Sequence, residues 1–276
     1  MRVKILSDHG GEQLHLSEQQ LQGAAADHAA WQGYYAQASG ELEATRRTKP
    51  LWKRLLSVPT TDEQAAQARV GDAFRQVESA DYEVQRAYHR VQQQGAGVYG
   101  EDLLTWSLAG LLPDEWVMLR GYRNRRGETD HVLVGPAGVW AVEVKRRRIL
   151  LHAVGDQWWF QKISAQGRVC ESEWAVDGGG RSWPRQVGDV AHDLAAWLER
   201  QGHHLGVRTA VMLMHAHAQL VECVTPGVDF VSSDPWQLTD TILRGLATPL
   251  SQNTCEDIVA LVERDHHFHA SRRRAR

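Results

Sequence analysis

Asp130, Glu143 and Lys145 are the residues of this chain whose types and spacing favour metal-ion chemistry. The segment between the two acids contains Gly-Pro-Ala-Gly at 135–138, which is typical of a tight hairpin turn because proline presets φ and glycine ends the turn. If only Pro136 and Ala137 lie outside the ladder, Asp130 faces Glu143 directly. Side chains alternate along a strand, so Lys145 shares the face of both acids. The pattern predicts two carboxylates and one ammonium group in one place.

Two opposed carboxylates destabilise a sheet unless something offsets their repulsion. Both strands of the predicted hairpin are apolar on both faces, so the hairpin should be central, where unpaired charges are costly. A divalent cation resolves the conflict, because Mg²⁺ binds one or two carboxylates, keeps several waters and accepts phosphate oxygens. A structural Asp–Lys or Glu–Lys pair at a strand end is the alternative. A three-residue loop with Gly138 in the left-handed conformation would shift the register, so that Asp130 faces Val144 instead.

The order Asp130, then Glu143-Val144-Lys145, resembles the Asp...Glu-x-Lys core of the PD-(D/E)xK nuclease superfamily. The closer resemblance is to the nuclease-related domain, NERD, and covers about residues 97–235. It is carried by Gly100-Glu101 opening a helix, by the run Thr129-Asp130-His131-Val132-Leu133-Val134-Gly135-Pro136 with Gly138-Val139, and by Pro184 and Gln186 beginning a later helix. These features in order are more specific than Asp...Glu-x-Lys alone. The chain departs from the pattern at Arg146-Arg147-Arg148, where a small or amide residue is expected.

The resemblance implies an α/β (α+β) fold with a restriction-endonuclease-like central mixed sheet flanked by helices. It implies that Asp130, Glu143 and the Val144 carbonyl hold Mg²⁺ or Mn²⁺. Glu101 would complete the metal site or act as a base, Lys145 would stabilise developing charge, and Gln186 would position Lys145 or the substrate. For Glu101 the structural alternative is a carboxylate favoured in the first turn of a helix by the helix dipole.

The segment before the resemblance is helical in pattern. Ser17-Glu18-Gln19-Gln20 has capping-box spacing and Lys49-Pro50 stops the first helix, while Thr61-Asp62-Glu63-Gln64 starts a second. In the second helix valines repeat every seven residues at 70, 77, 84 and 91, with alanines at 73, 80 and 87. Such a seam suits close packing against another helix. We expect an antiparallel, coiled-coil-like hairpin, or alternatively pairing between chains in a homodimer.

Further along the chain the patterns predict the remaining elements of the fold. Gly95-Ala96-Gly97 is expected to break the second helix and act as a hinge, which divides the chain into a helical segment at 1–95, an endonuclease-like domain at 96–265 and a basic disordered tail at 266–276. The predicted strands are 116–119, the hairpin, 158–163 continuing the same sheet, 207–214 and 228–231, and the predicted helices begin at 100 and 184 and cover 235–246 and 255–262.

The net charge of −3 does not indicate indiscriminate binding to nucleic acid, but the charge is unevenly distributed. Residues 119–185 hold twelve Arg or Lys against seven Asp or Glu, a local excess of five positive charges around the hairpin. This excess favours phosphate contact there, with a solvated basic rim as the alternative. The candidate nucleic-acid-binding residues are Arg123, Arg125, Arg126, Arg146, Arg147 and Arg148.

Cysteines and histidines point away from other metal or disulfide chemistry. Cys170, Cys223 and Cys255 are not spaced as a disulfide framework or a thiolate zinc site. The histidine clusters at 203–204, 215–217 and 266–269 lie far from the acids in sequence, so surface or packing roles are favoured. No apolar run suits a signal peptide or is long enough to span a membrane. This predicts a soluble, cytoplasmic protein without a membrane partner.

The sequence favours a metal-dependent nuclease that hydrolyses phosphodiester bonds of nucleic acid, with DNA preferred as substrate. A non-catalytic DNA-binding or tethering protein built on the nuclease-like fold is the alternative, and the intact acids and Lys145 weigh against it. A structural coiled-coil adaptor would leave the opposed carboxylates unexplained.

Overall fold

The computed structural model describes residues 1–55, 58–244 and 248–274. Contacts divide the chain into two compact units, Gly10–Gly95 and the combination of Met1–His9 with Ala96–Arg276. The described residues form a mixed α/β protein with six helices and two mixed sheets, consistent with a nuclease-like fold. No helix in the described part of the chain is both long and apolar enough to cross a membrane.

The Gly10–Gly95 unit is built from two long helices, α1 (His9–Thr48) and the first part of α3 (Thr61–Leu111), with the short α2 (Leu51–Leu55) between them. Their contacts run antiparallel: the Arg46 and Lys49 side chains pair with Glu63, and the Tyr35 ring lies 6.0 Å from the Phe74 ring. This confirms an intramolecular helical hairpin. Of the predicted seam, Ala73 and Ala87 are fully buried, whereas the four repeating valines are only half-buried.

The glycines at 95 and 97 do not break a helix, so that prediction was wrong. Helix α3 continues through them to Leu111, and neither has a positive φ. A glycine within a helix costs only about 1 kcal/mol, which a long flanking helix readily absorbs. Glu101 therefore lies near the end of a 51-residue helix and not in a first turn, so the helix dipole does not explain its position.

The larger sheet has six strands, in the order β1 (Arg2–Ile5), β2 (Val117–Arg123), β3 (Glu128–Gly135), β4 (Gly138–Lys145), β8 (Val207–Leu213) and β10 (Phe230–Ser232). Its centre is the predicted hairpin, and β4 pairs in parallel with β8, a buried strand near the predicted position. Strand β1 lies at one edge, parallel to β2. Residues Met1–His9 therefore belong with the unit that contains the sheets and not with the helical hairpin.

A second sheet has the order β7-β6-β5-β9. The segment predicted to continue the central sheet, 158–163, lies here instead, because β5 turns directly into β6 and β5 pairs with β9 rather than with β4. The inner face of this sheet, including Leu151 and Phe160, packs against helix α4 and the larger sheet. Its strands are β5 (Ile149–Val154), β6 (Gln157–Ile163), β7 (Val169–Trp174) and β9 (Gln219–Val224), and the remaining helices are α4 (Trp183–Arg200), α5 (Pro235–Leu243) and α6 (Gln252–Arg274).

Helices cover both faces of the larger sheet. One face packs on Leu104 and Leu108 of α3 and on α5, and the other packs on Val190 and Leu194 of α4 and on α6. Helix α4 has apolar residues along one side, and Pro184 sits in its first turn where a missing N–H costs nothing. These two layers bring α3 and α4 to the hairpin that carries the predicted site.

Helix α6 extends through Arg274, whereas residues 266–276 were predicted to be disordered. The helix is fixed by buried polar contacts: the Tyr122 hydroxyl donates to Asp265 Oδ2 at 2.5 Å, and the Arg123 N–H donates to His266 Nδ1 at 3.1 Å. These bonds hold the start of the basic segment against β2, so the helix continues. The described residues do not include 275 and 276, nor the part of the predicted helix at 245–246.

The burial of Asp265 predicts a pH-dependent stability. Burial raises the pKa of Asp265 above its ordinary value of 3.8, although the Tyr122 hydrogen bond opposes the shift. The folded state then binds more protons than the unfolded state, so this contribution is complete below the unfolded pKa and is lost as pH rises through the folded pKa. Asp265→Asn keeps an acceptor for Tyr122 without the charge, and its stability relative to wild type should rise with pH in denaturant titrations. Asp257→Asn, at an exposed acid of the same helix, is the matched control, and a pH dependence in Asp265→Asn no steeper than in this control would contradict the prediction.

Candidate active site

The hairpin has the register predicted from the two-residue turn. Gly135 pairs with Gly138, Val132 with Ala141 and His131 with Val142, so the three-residue loop is not adopted. Asp130 is the next residue outward, and its Oδ2 accepts a hydrogen bond from the Val144 N–H at 2.6 Å. The side chain of Asp130 thus occupies the ladder position where a backbone carbonyl would otherwise bond to β4. This contact fixes the carboxylate at the end of β3, beside the strand that carries Glu143.

Glu143 is 3% exposed and carries one satisfied and one unsatisfied carboxylate oxygen. Its Oε1 accepts from Lys145 Nζ at 2.6 Å and from Gln186 Nε2 at 2.6 Å. Its Oε2 is buried and has no hydrogen-bond partner. An acceptor left without a partner in the interior is costly, so this oxygen is a position at which a positively charged group would be favoured.

Helix α4 holds Lys145 in place. Gln186 lies on its first turn, and its Oε1 accepts from Lys145 Nζ at 3.2 Å while its amide donates to Glu143. The Trp183 ring, from the same turn, lies 5.5 Å from Lys145 Nζ. The proline after Trp183 starts the helix here, which explains why Gln186 reaches the site. Glu143, Lys145 and Gln186 form one hydrogen-bonded group.

Glu101 lies on α3, and its carboxyl group interacts electrostatically with Glu143. Burial raises its pKa to about 7, and the charges of Glu143, Asp102 and Asp8 act in the same direction. Arg120 opposes the rise, with its Nη2 3.7 Å from Glu101 Oε2 and its Nη1 2.8 Å from Asp102 Oδ1. A carboxyl group of this kind exchanges its proton near neutrality.

Asp130 is repelled by neighbouring carboxylates in the same way. Burial raises its pKa well above the ordinary value, and the charges of Glu143 and Glu101 add to the effect, while Lys145 and the Val144 N–H oppose it. Glu101, Asp130 and Glu143 therefore lie within one another's electrostatic influence. Among the described residues, however, no group of three or more His, Cys, Asp or Glu side chains is arranged closely enough to hold a metal ion by itself.

A buried Thr105–His131 contact fixes α3 to β3. The Thr105 hydroxyl donates to the Glu101 carbonyl, so it accepts from His131 Nε2, 3.1 Å away. His131 is fully buried, and burial lowers its pKa to about 3, so the imidazole is neutral. Thr105 lies one helical turn after Glu101, and His131 follows Asp130. The contact therefore sets the positions of two acids from different elements.

The predicted nucleic-acid-binding arginines fall into two groups. Arg123 is paired with Glu128, and Arg125 Nε lies 2.6 Å from Asp193 Oδ1. No ion pair to a described carboxylate is found for Arg146, Arg147 or Arg148, and Arg126 likewise has none.

Aromatic rings hold two of the three arginines that follow Lys145. Arg146 lies 4.7 Å from the Tyr99 ring, and Arg147 lies 5.5 Å from Phe160 and 5.7 Å from Trp183. The Nε atoms of Arg146 and Arg148 are buried without a partner. Cation–π contacts fix guanidinium groups without neutralising them. None of the three is neutralised by an ion pair with a described carboxylate, so positive charge is concentrated next to Lys145.

Sequence reasoning missed Arg120, Thr105 and the role of Trp183. The first predicted strand ended at Leu119, whereas β2 runs to Arg123, and a longer alternation through Arg120 would have placed that guanidinium opposite His131. Thr105 and Trp183 carry no sequence signal for their contacts, because those contacts join segments distant in sequence. The histidines at 215 and 217 have rings 5.7 Å apart, and the described histidines take part in no metal cluster.

Residues 96–214 match the family model of the nuclease-related domain, NERD, and this segment contains Glu101, Asp130, Glu143, Lys145 and Gln186. Comparisons with curated proteins and with solved structures gave no match.

Proposed function

We propose, from the premise that residues 96–214 are a nuclease-related domain, that this protein is a metal-dependent nuclease acting on DNA. The observation that carries the proposal is the buried, unpartnered Oε2 of Glu143, beside two further acids whose pKa values are raised by burial and mutual repulsion. The three carboxylates repel one another when no cation is bound. A bound cation would relieve this repulsion, which is the behaviour expected of a cation-binding site.

The donor set fits Mg²⁺ or Mn²⁺. Both ions prefer oxygen ligands, need few protein carboxylates and keep waters in the remaining positions, so the lack of a three-ligand cluster among the described residues is compatible with them. Asp130, Glu143 and the Val144 carbonyl would hold the ion, and Glu101 would complete the site or act as a base. When bound, the ion would polarise the scissile phosphate and lower the pKa of the attacking water.

The protein's own residues would supply the remaining steps. Lys145 Nζ has three donors, and two of them are used by Glu143 and Gln186, which leaves one for a phosphate oxygen. Gln186 keeps Nζ oriented through both contacts. Glu101, with a pKa near 7, would take a proton from water at neutral pH. Arg146, Arg147 and Arg148 would bind backbone phosphates on either side of the scissile bond.

A purified-protein cleavage assay tests the proposal. Plasmid DNA, single-stranded DNA and RNA are incubated with Mg²⁺, Mn²⁺, Ca²⁺ or EDTA, and we expect cleavage of DNA with Mg²⁺ or Mn²⁺ only. Asp130→Asn retains an acceptor for the Val144 N–H but removes the charge, and should lower the rate by about 100-fold or more. Asp189→Asn, an exposed acid on α4, is the matched control and should cleave like wild type.

The second candidate function is non-catalytic DNA binding or tethering, and the uncompensated arginines are the observation that favours it. If the wild type binds DNA but is inert with every metal and substrate, and Asp130→Asn binds DNA equally well, this second function is the better account. We also propose that the protein self-associates through the Gly10–Gly95 unit. A cytoplasmic location is a further prediction.

The arginines following Lys145 predict a change in the salt dependence of binding. Changing Arg146, Arg147 and Arg148 together to Gln should weaken DNA binding and lower the slope of log K against log salt concentration by roughly 1 to 3, because each phosphate contact contributes about 0.9. Arg125→Gln is the control, since Arg125 is already paired with Asp193. Fluorescence anisotropy over a series of salt concentrations measures both; an unchanged slope in the triple variant would show that these arginines make no phosphate contacts.

A further inference from the structure

The outer face of the second sheet carries an aromatic row. His152 pairs with Trp159 across β5 and β6, and Trp159 pairs with Trp174 across β6 and β7. Directly paired residues point to the same face of a sheet, so the three side chains share one face. The opposite face of the sheet, with Leu151 and Phe160, is the buried one. The row therefore faces away from the protein core.

The first two rings of the row are fixed, whereas the third is open. The His152 and Trp159 rings stack in parallel with centroids 3.7 Å apart, and His152 Nδ1 lies 3.3 Å from Glu222 Oε2. Trp174 is 63% exposed, and within the described residues no other ring and no cation lies against it. An exposed indole at the end of a rigid aromatic row offers a π-surface to a planar ligand.

Trp174 lines a cavity of about 840 Å³, which we call the Trp174 groove. Two arginines lie in its wall. Arg185 is largely exposed and 3.7 Å from Asp156, whereas Arg181 is held by Asp177 at 2.9 Å and by the Arg126 carbonyl at 2.9 Å. The groove is lined by Gly155, Asp156, Gln157, Trp158, Trp174, Val176, Gly180, Arg181, Ser182 and Arg185.

The polar groups of the groove suit a neutral heterocycle better than a phosphate. Each arginine has a nearby carboxylate, so the groove has little excess positive charge, and a phosphate would meet Asp156 and Asp177 as well. Ser182 Oγ is buried and has no hydrogen-bond partner, and Gln157 adds an exposed amide that both donates and accepts. A flat ring with donors and acceptors on its edge satisfies both the indole and these groups.

We propose that the Trp174 groove binds one unpaired nucleobase of the nucleic-acid strand, stacked on Trp174 with its edge toward Ser182 and Gln157. The inference rests on the proposed function in taking nucleic acid as the ligand. The first turn of α4 joins the two places: Ser182 and Arg185 line the groove, while Trp183 and Gln186 contact Lys145. A base must be unstacked to enter, so the groove selects single-stranded segments over intact duplex.

Anisotropy titrations of the full-length protein test this in EDTA, where no cleavage is expected. The probes are a short fluorescein-labelled oligothymidylate and the same strand annealed to its complement. Trp174→Ala should weaken binding of the single strand by roughly 5- to 100-fold, because a stacked base contributes this much, and should change duplex binding far less. Trp174→Phe should restore most of the affinity. Trp236→Ala removes another exposed indole, 70% exposed on α5, and should leave both affinities unchanged.

Equal single-strand affinity in wild type and Trp174→Ala, or an equal loss for single strand and duplex, would overturn the inference. The cleavage assay separates this result from failure of the proposed function. An enzyme that cleaves DNA but is indifferent to Trp174→Ala has the nuclease site without the base site. A protein that needs Trp174 for single-strand binding but cleaves nothing has the base site without the nuclease activity.

Discussion

Lys145→Ala is expected to lower the rate of DNA cleavage by about 100-fold or more while leaving the affinity for Mn²⁺ within a few-fold of wild type. Lys145 Nζ is held by Glu143 and Gln186, and removing one pre-positioned donor from a developing anion costs about 10² to 10³ in rate. The Glu143 Oε2 oxygen, which has no partner, is untouched by the change. Single-turnover kinetics gives the rate, and isothermal titration with Mn²⁺ gives the affinity.

Glu143→Gln is the comparison that separates the two roles. It replaces the carboxylate with a neutral amide, which keeps one acceptor for Lys145 but removes the negative charge, so both metal affinity and cleavage should fall. Because Lys145→Ala takes one donor from a buried carboxylate, its fold is checked by thermal unfolding, and Lys145→Gln supplies a variant that still donates a hydrogen bond. Equal loss of Mn²⁺ affinity in Lys145→Ala and Glu143→Gln, with both proteins folded, would contradict a separate role for Lys145. Wild-type cleavage by Lys145→Ala would remove Lys145 from the mechanism.

Gly135→Ala is expected to destabilise the protein by about 3 kcal/mol, the upper end of what overpacking a core costs. A Cβ at Gly135 would lie 2.2 Å from Trp116 Cδ2 and 2.5 Å from Cε2, in the middle of an indole and not at the end of a flexible chain. Trp116 is 2% exposed and belongs to the core that covers one face of the larger sheet. The ring has nowhere to move without displacing that core. Denaturant titration of both proteins measures the difference.

Gly97→Ala is the matched control for the glycine change. A Cβ at Gly97 meets nothing within 4 Å, and the residue lies inside helix α3. Alanine is favoured over glycine in a helix by roughly 0.8 to 1 kcal/mol, so this variant should be at least as stable as wild type. Destabilisation by Gly97→Ala would mean that α3 is not continuous there, and an unchanged stability of Gly135→Ala would mean that Trp116 does not pack on the hairpin as described.

The sequence alone predicted the structure correctly wherever all the interacting residues lie in one segment. The glycines and proline of the turn set a two-residue hairpin, and the period-two alternation of strands then placed Lys145 on the face of Glu143, as the 2.6 Å contact between them shows. The heptad of valines and alanines likewise predicted that the helix after Thr61 pairs with another helix. Local backbone geometry and side-chain periodicity fix these features before any long-range contact forms.

The sequence was insufficient where the outcome is a sum of contacts between distant segments. The glycines at 95 and 97 favour a break locally, but their small cost is outweighed by the rest of a 51-residue helix, so α3 delivers Glu101 from its far end. Strand β6 is apolar enough for the central sheet, yet its pairing with β5 places it in the second one. Pattern alone does not choose between two sheets, because both bury one face.

What the sequence by itself determined is the identity of the acids, the lysine and the hairpin that spaces them. Only the tertiary structure decided which charges are neutralised: Arg123 and Arg125 have carboxylate partners, whereas Arg146 and Arg147 lie against aromatic rings. It also decided that one oxygen of Glu143 has no partner and that burial raises the pKa of Glu101 to about 7. Burial and partner distance depend on how helices α3 and α4 pack on the sheet, and a linear pattern of residue types does not encode them.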